Sequence, residues 1–190
     1  MEAHTPDYRG TSLANHNGYQ FSLTDHFGKN VTSTSPQGSV KILTFFFTSC
    51  TDVCPIITSN IKKAVFDVKE PDRIQVIVIT VDPERDTAEA SKKYATKWKL
   101  SSNWHFLTGS EKELSPIWKA YFVNPQIPPL NSNNAGAQSV NSAFNNRYSV
   151  IHTTPVYLLN SNGVPKVVHT NPINESDLAH DIRKVLSENN

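Results

Sequence analysis

The chain has 190 residues, of which 37% are hydrophobic and 18% charged, and its 18 basic and 17 acidic residues leave a net charge of +1. That length suits one domain with a single core, and the balanced charge provides no footprint for nucleic acid or an anionic membrane surface. No run of 18 or more apolar residues reads as a membrane span. Only two cysteines occur, Cys50 and Cys54, too few for a disulfide framework or a four-cysteine zinc site, so they form a local device.

In chain order, residues 1–18 are polar, carry Pro6, Gly10 and Gly18, and read as a flexible leader to a single domain over 19–190. The opening residues lack the basic and apolar regions of a signal peptide, and a membrane tether upstream is compatible with them. Residues 19–23 and 31–34 flank turn chemistry at Asp25, Gly28 and Asn30, which predicts an N-terminal hairpin. Residues 40–47 and 74–81 are β-branched and aromatic runs of the kind buried on both faces of a sheet. Between them Ile57, Ile61, Ala64, Val65 and Val68 keep helical spacing after Pro55. Strand, helix, strand predicts a parallel pair and an α/β protein.

Asp86 followed by Glu89 resembles a capping box, so Asp82, Arg85 and Asp86 are expected to make a turn and a helix cap and to carry no chemistry. A short strand at 105–107 precedes a helix capped by Ser110 and Glu113, in which Pro116 is expected to kink or divide the chain. Trp98, Trp104 and Trp118 are expected to pack. Residues 123–147 form a polar insertion rich in Asn, Ser and Pro. A closing hairpin around residues 160–163 and a helix carrying Leu178, Ile182, Val185 and Leu186 complete a mixed sheet flanked by helices. No repeat with a fixed period interrupts this order.

The cysteines fall where a strand becomes a helix. Two thiols four residues apart there lie about one turn apart and can face one point, and the amides of a helix N-terminus favour thiolate. Such a pair can bind a soft metal, exchange disulfides or close a structural bridge. Soft thiolates favour copper(I), and an imidazole suits either copper oxidation state. Of the seven histidines, His4, His16, His26, His169 and His180 are expected to face solvent and His105 to be structural. His152 stands apart because it lies in a loop just ahead of a strand, from which it can converge on the cysteine loop.

Five segments in this order resemble the Sco/SenC family of copper proteins: Phe21-Ser22-Leu23-Thr24-Asp25, the stretch Phe46-Phe47-Thr48-Ser49-Cys50-Thr51-Asp52-Val53-Cys54-Pro55, Val81-Asp82-Pro83-Glu84-Arg85-Asp86-Thr87, Phe106-Leu107-Thr108-Gly109, and His152 five residues before Tyr157. The likeness runs from about Tyr19 to the final helix. It implies a thioredoxin-like fold and a copper site, for Cu(I), Cu(II) or both, formed by Cys50, Cys54 and His152. It also implies a metallochaperone that supplies or prepares the binuclear copper centre of cytochrome c oxidase. The expected partners are the copper-accepting oxidase subunit, a copper donor chaperone or a thiol reductant, with membrane attachment only through an anchor absent from this chain. The expected location is extracytoplasmic: periplasm, outer face of the cell membrane, or mitochondrial intermembrane space. The alternative is a thiol-disulfide oxidoreductase with Cys50 and Cys54 as its catalytic redox pair. Two departures flank the histidine. Ile151 replaces the family's common aspartate, and Thr153-Thr154-Pro155 is similar to the Thr-Pro approach of thioredoxins, where a cis proline faces the cysteines.

Overall fold

All seven residues of strand β4 (Val40–Phe46) are buried, because helices cover both faces of the sheet around it. Its side chains alternate: Val40, Ile42 and Phe46 enter one core, while Leu43 and Phe45 enter the other. The computed structural model describes residues 7–13, 16–126 and 150–189. The remaining strands are β1 (Thr11–Ser12), β2 (Ser22–Asp25), β3 (Asn30–Thr32), β5 (Ile74–Thr80), β6 (Trp104–Thr108), β7 (Val156–Leu159) and β8 (Pro165–His169). They form one mixed sheet in the order β1-β8-β7-β4-β5-β6-β2-β3.

β4 and β5 pair in parallel from Val40 with Ile74 to Phe46 with Thr80, and β6 continues the parallel set with Trp104 beside Val76. β7 runs antiparallel to β4, with Val156 opposite Thr44, and the β2–β3 hairpin joins the far edge through β6. Helices α1 (Val53–Val68), α2 (Ala88–Lys97) and α4 (Glu175–Glu188) pack on one face through Ile57, Ile61, Tyr94, Ile182 and Val185. Helix α3 (Glu111–Ala120) covers the other face through Leu114, Ile117 and Trp118. The expected fold class, a central mixed sheet flanked by helices with an N-terminal hairpin, is therefore present. Trp104 and Trp118 are core residues and Trp98 packs against the core, as expected.

Lys41 sits inside the central strand with no exposure, and its Nζ donates to the carbonyls of Thr34, Pro36 and Ser161 at 3.3, 3.1 and 3.0 Å. Burial lowers its pKa to about 8.

Several local expectations are corrected. Residues 7–13, read as part of a flexible leader, are tied to the domain: β1 pairs with β8, and Leu13 N–H donates to the Lys166 carbonyl. The buried Asp181 carboxylate accepts the Arg9 and Gly10 amides at 2.8 to 3.1 Å. Gly10 is required there, since a Cβ would stand 2.6 Å from Val167 Cγ1 and 2.9 Å from His169 Nε2. His169, expected at the surface, is buried with Nε2 at 2.9 Å from Asp181, and His180 meets the same carboxylate at 2.9 Å. His26 is also buried, with Phe27 and Phe106 against its ring. His16 is half-buried and stacks on Tyr121.

Helix α2 is capped by Thr87, whose hydroxyl accepts the Ala90 amide at 3.2 Å, rather than by Asp86. Helix α3 has the expected Ser110–Glu113 capping box but runs unbroken through Pro116. Residues 127–147 of the expected insertion, and His4, lie outside the described residues.

Asp181 makes folding pH-dependent. Hydrogen bonds from His169, Arg9, His180 and Gly10 outweigh the opposing effect of burial and hold its carboxyl at about 2, against an ordinary 3.8. A depressed carboxyl stabilises the fold above its unfolded pKa and loses that contribution as pH falls through its folded one, so the window is from about pH 4 down to about 2. The gap corresponds to about 2 kcal/mol. Chemical denaturation should find Asp181→Asn less stable by about that much near neutral pH, with the difference shrinking toward zero near pH 2. A difference independent of pH would contradict this assignment.

Candidate metal centre

The parallel strands β4 and β5 end together at Phe46 and Thr80, and the chain leaves β4 to enter the cysteine loop and α1 at that end of the sheet. Cys50 N–H donates to the Phe47 carbonyl at 3.2 Å, closing a turn, and Cys54 is the second residue of α1. Neither cysteine is in a disulfide. Cys54 is fully buried, while Cys50 is half-buried where the cores on the two faces of the sheet meet.

The first turn of α1 needs acceptors for its amides, and Asp52 makes no side-chain capping bond. The Cys50 sulfur takes that place. The Cys54 thiol donates to it, and the amides of Asp52, Val53 and Cys54 add further bonds, which together lower its pKa to about 6 against the cost of burial. Cys54 is pushed far upward by its bond to Cys50, by burial and by the Cys50 charge. At neutral pH the pair is one thiolate accepting from one thiol.

A buried carboxylate expected only to cap α2 supports this loop. Asp86, only 2% exposed, accepts the Thr48 amide at 3.0 Å and the Thr48 hydroxyl at 2.6 Å through Oδ1, and the Thr80 hydroxyl at 2.6 Å through Oδ2. It clamps the residue two before Cys50 to the end of β5. Burial raises the Asp86 pKa, and its charge adds to the upward shift of Cys54. Asp82, fully buried, meets Arg85 at 3.4 Å and accepts the Arg85 and Asp86 amides through its carbonyl, which is the turn expected of it.

His152 follows the Gln126–Ile151 bridge and precedes β7. Its Nδ1 lies 2.7 Å from the Thr153 carbonyl, an acceptor only, so Nδ1 carries the proton and Nε2 keeps its lone pair. Burial lowers its pKa, favouring the neutral imidazole that a metal requires. Phe47 connects it to the cysteines: the Phe47 carbonyl accepts from Cys50, and the ring meets the His152 ring edge-on at 6.2 Å between centroids. His152 itself lines a surface groove with Tyr121, Phe122, Pro155 and Asn171.

All three predicted ligands thus lie at one end of the sheet, yet among the described residues no three His, Cys, Asp or Glu side chains converge closely enough to hold a metal ion. Ile151 is 69% exposed and brings no acid to His152. Among the described residues the cis peptide bonds precede Pro36 and Pro172, and that before Pro155 is not among them. His105 is held between Asp25 and Gln75 at 2.8 Å each, as expected of a structural residue.

The thiolate has a direct test. Alkylation of Cys50 in the reduced chain should rise with pH around a midpoint near 6, and Cys54→Ala, which removes the largest lowering contribution, should move it toward the ordinary thiol value of about 8.5. A wild-type midpoint already in that ordinary range would refute the thiolate–thiol pair.

Comparisons with known proteins show the family and the fold. The family model for SCO1/SenC matches residues 9–187. The human protein "Protein SCO1 homolog, mitochondrial" is 32% identical over 152 residues, covering 77% of this chain and 45% of that protein. Across eight such curated relatives the matched part spans between 32% and 66% of their own lengths. Among solved structures, Bradyrhizobium japonicum ScoI with copper bound superposes with a TM-score of 0.70 at 27% identity, covering 88% of this chain and 98% of that one. A SCO1/SenC family lipoprotein from Bacillus anthracis gives 0.73 at 26% identity, with 90% and 96% covered. BsSco, described through a disulfide switch and as a member of the Sco family of cytochrome c oxidase assembly proteins, gives 0.68 at 26%, with 94% and 97% covered.

Proposed function

The chain belongs to the SCO1/SenC family, and from that premise we propose that it carries one copper ion as cargo on Cys50, Cys54 and His152 and passes it to a copper-accepting subunit of cytochrome c oxidase. The observation that carries the proposal is the Cys50 thiolate bonded to the Cys54 thiol at the start of α1, with a neutral imidazole across Phe47. Two soft sulfurs and one imidazole favour copper(I) over harder cations. Cys50 offers the first bond, and Cys54 joins as it releases its proton, so uptake frees a proton and weakens in acid. The His152 loop then closes the site with Nε2. Half-exposure of Cys50 leaves the ion open to displacement by the ligands of an acceptor. Copper-bound ScoI and the assembly role named for BsSco support this reading.

The working location is outside the cytoplasm, on the strength of the mitochondrial and lipoprotein relatives, with attachment through a segment other than the helices described here, none of which is long and apolar enough to cross a membrane.

The unequal thiols favour one second reading. The Cys50 thiolate attacks a substrate disulfide, forming a mixed disulfide and expelling one substrate thiolate, which takes up a proton. Cys54, after losing its own proton, attacks Cys50 and releases the second thiolate. Cys50 and Cys54 end oxidised to a disulfide, the substrate ends reduced by two electrons, and a thiol reductant restores the pair. Titration of reduced chain with copper(I) separates the readings. One-to-one binding that disappears in the Cys50→Ser, Cys54→Ser variant supports the carrier, whereas equal, weak binding by both chains transfers the cysteines to disulfide exchange.

A further inference from the structure

The net charge of +1 hides a local concentration of lysine. Where α1 ends, a surface groove floored by Val65 and Trp104 is lined by Lys62, Lys63, Lys69 and Lys99 and by no acidic residue. Phe66 projects there with 83% of its surface exposed, the most exposed large apolar side chain among the described residues.

The backbone places two of these lysines at a cost. Lys69 and Lys99 have φ of 63° and 50°, and together with Phe122 they are the non-glycine residues with positive φ among those described. Both follow the ends of helices, α1 and α2, where glycine or asparagine adopts this conformation more readily. A cation near a helix C-terminus is favourable, which accounts for a basic residue at each stop. It does not account for both turning into one groove beside an exposed phenylalanine. Lys62 donates to the Trp98 carbonyl at 2.9 Å and Lys63 lies 3.7 Å from Glu175, while no carboxylate among the described residues pairs with Lys69 or Lys99.

We propose that this groove docks on an anionic phospholipid bilayer, with Phe66 entering the headgroup boundary and the lysines meeting lipid phosphates. An apolar wedge ringed by cations on flexible stems matches the chemistry of that boundary. Position matters as well. Phe66 lies twelve residues along α1 from Cys54, or about 18 Å of helix, at the end of the sheet opposite the cysteines. Docking at this end leaves the cysteines facing away from the lipid and open to an acceptor. The inference goes beyond the expectation of contact only through an anchor, and it rests on the membrane-side location proposed above but not on copper binding.

The test is flotation of purified chain with vesicles of phosphatidylcholine and phosphatidylglycerol, and with pure phosphatidylcholine, at low and high salt. Wild type should float with the mixed vesicles at low salt and leave them at high salt. Phe66→Ser, and separately Lys69→Ser with Lys99→Ser, should each reduce partitioning by about tenfold, with copper(I) binding unchanged. Equal binding to neutral vesicles, no binding to either, or variants that float like wild type would overturn the proposal. Retention of an acidic amphipathic peptide without vesicle binding would also overturn it, assigning the groove to a protein partner.

Discussion

His152→Ala is expected to lower the copper(I) affinity of the reduced chain by about a hundredfold or more, since loss even of a residue that only supports a ligand costs about 10- to 100-fold. The imidazole is neutral and its Nε2 lone pair is available, so the substitution deletes a donor rather than a structural tie. Its ring contact with Phe47 is at the surface end of the sheet, and the cysteine pair keeps its own bonds to Phe47 and to the amides of α1. Exchange of the Cys50 thiolate with a small disulfide should therefore remain within about twofold of wild type, because the thiolate fraction that sets the rate is unchanged. Competition with a copper(I) chelator measures the first quantity and thiol release the second. If affinity is untouched, copper is held by the cysteines alone and His152 belongs to the groove it lines. If both fall together, the loop supports the cysteine turn, and the separation between carrier and exchange chemistry is lost.

What could be read from the sequence follows the range of the interactions involved. β4, β5 and α1 are legible because their apolar periodicity is local, and the cysteine pair is legible because its position at a strand-to-helix turn determines its chemistry. Residues 7–13 were not, since the carboxylate that accepts the Arg9 amide is 172 residues away. His26 and His169 look polar in sequence and become buried only when Phe106 and Asp181 arrive from other elements. The lysine groove escapes notice in the same way, because residues 62, 63, 69 and 99 come from two helix ends brought together by the fold. His152 could be chosen as the loop histidine, but its link to the cysteines through Phe47 could not.

Asp86 shows most sharply what a local reading misses. Placed one residue ahead of the true cap Thr87, it looks like the start of α2, yet its carboxylate faces inward and joins the cysteine loop to β5. Asp86→Ala removes the acceptor from the Thr48 amide, the Thr48 hydroxyl and the Thr80 hydroxyl together. Each buried donor left without a partner costs about 1–3 kcal/mol, so a loss of about 3 kcal/mol is expected after partial relaxation. Asp86→Asn keeps one oxygen for Thr48 and places an amide where Thr80 can turn its hydroxyl to accept, so its cost should stay near 1 kcal/mol. Denaturant titration of the two variants makes the comparison, and equal stability of Ala and Asn would remove the clamp. The Asn variant carries the argument to the site: without the carboxylate charge that helps hold the Cys54 proton, the second thiol ionises more easily. Copper(I) uptake by Asp86→Asn should then persist to lower pH than in wild type, and an unchanged or upward-shifted pH profile would show that Asp86 shapes the loop without acting on its chemistry.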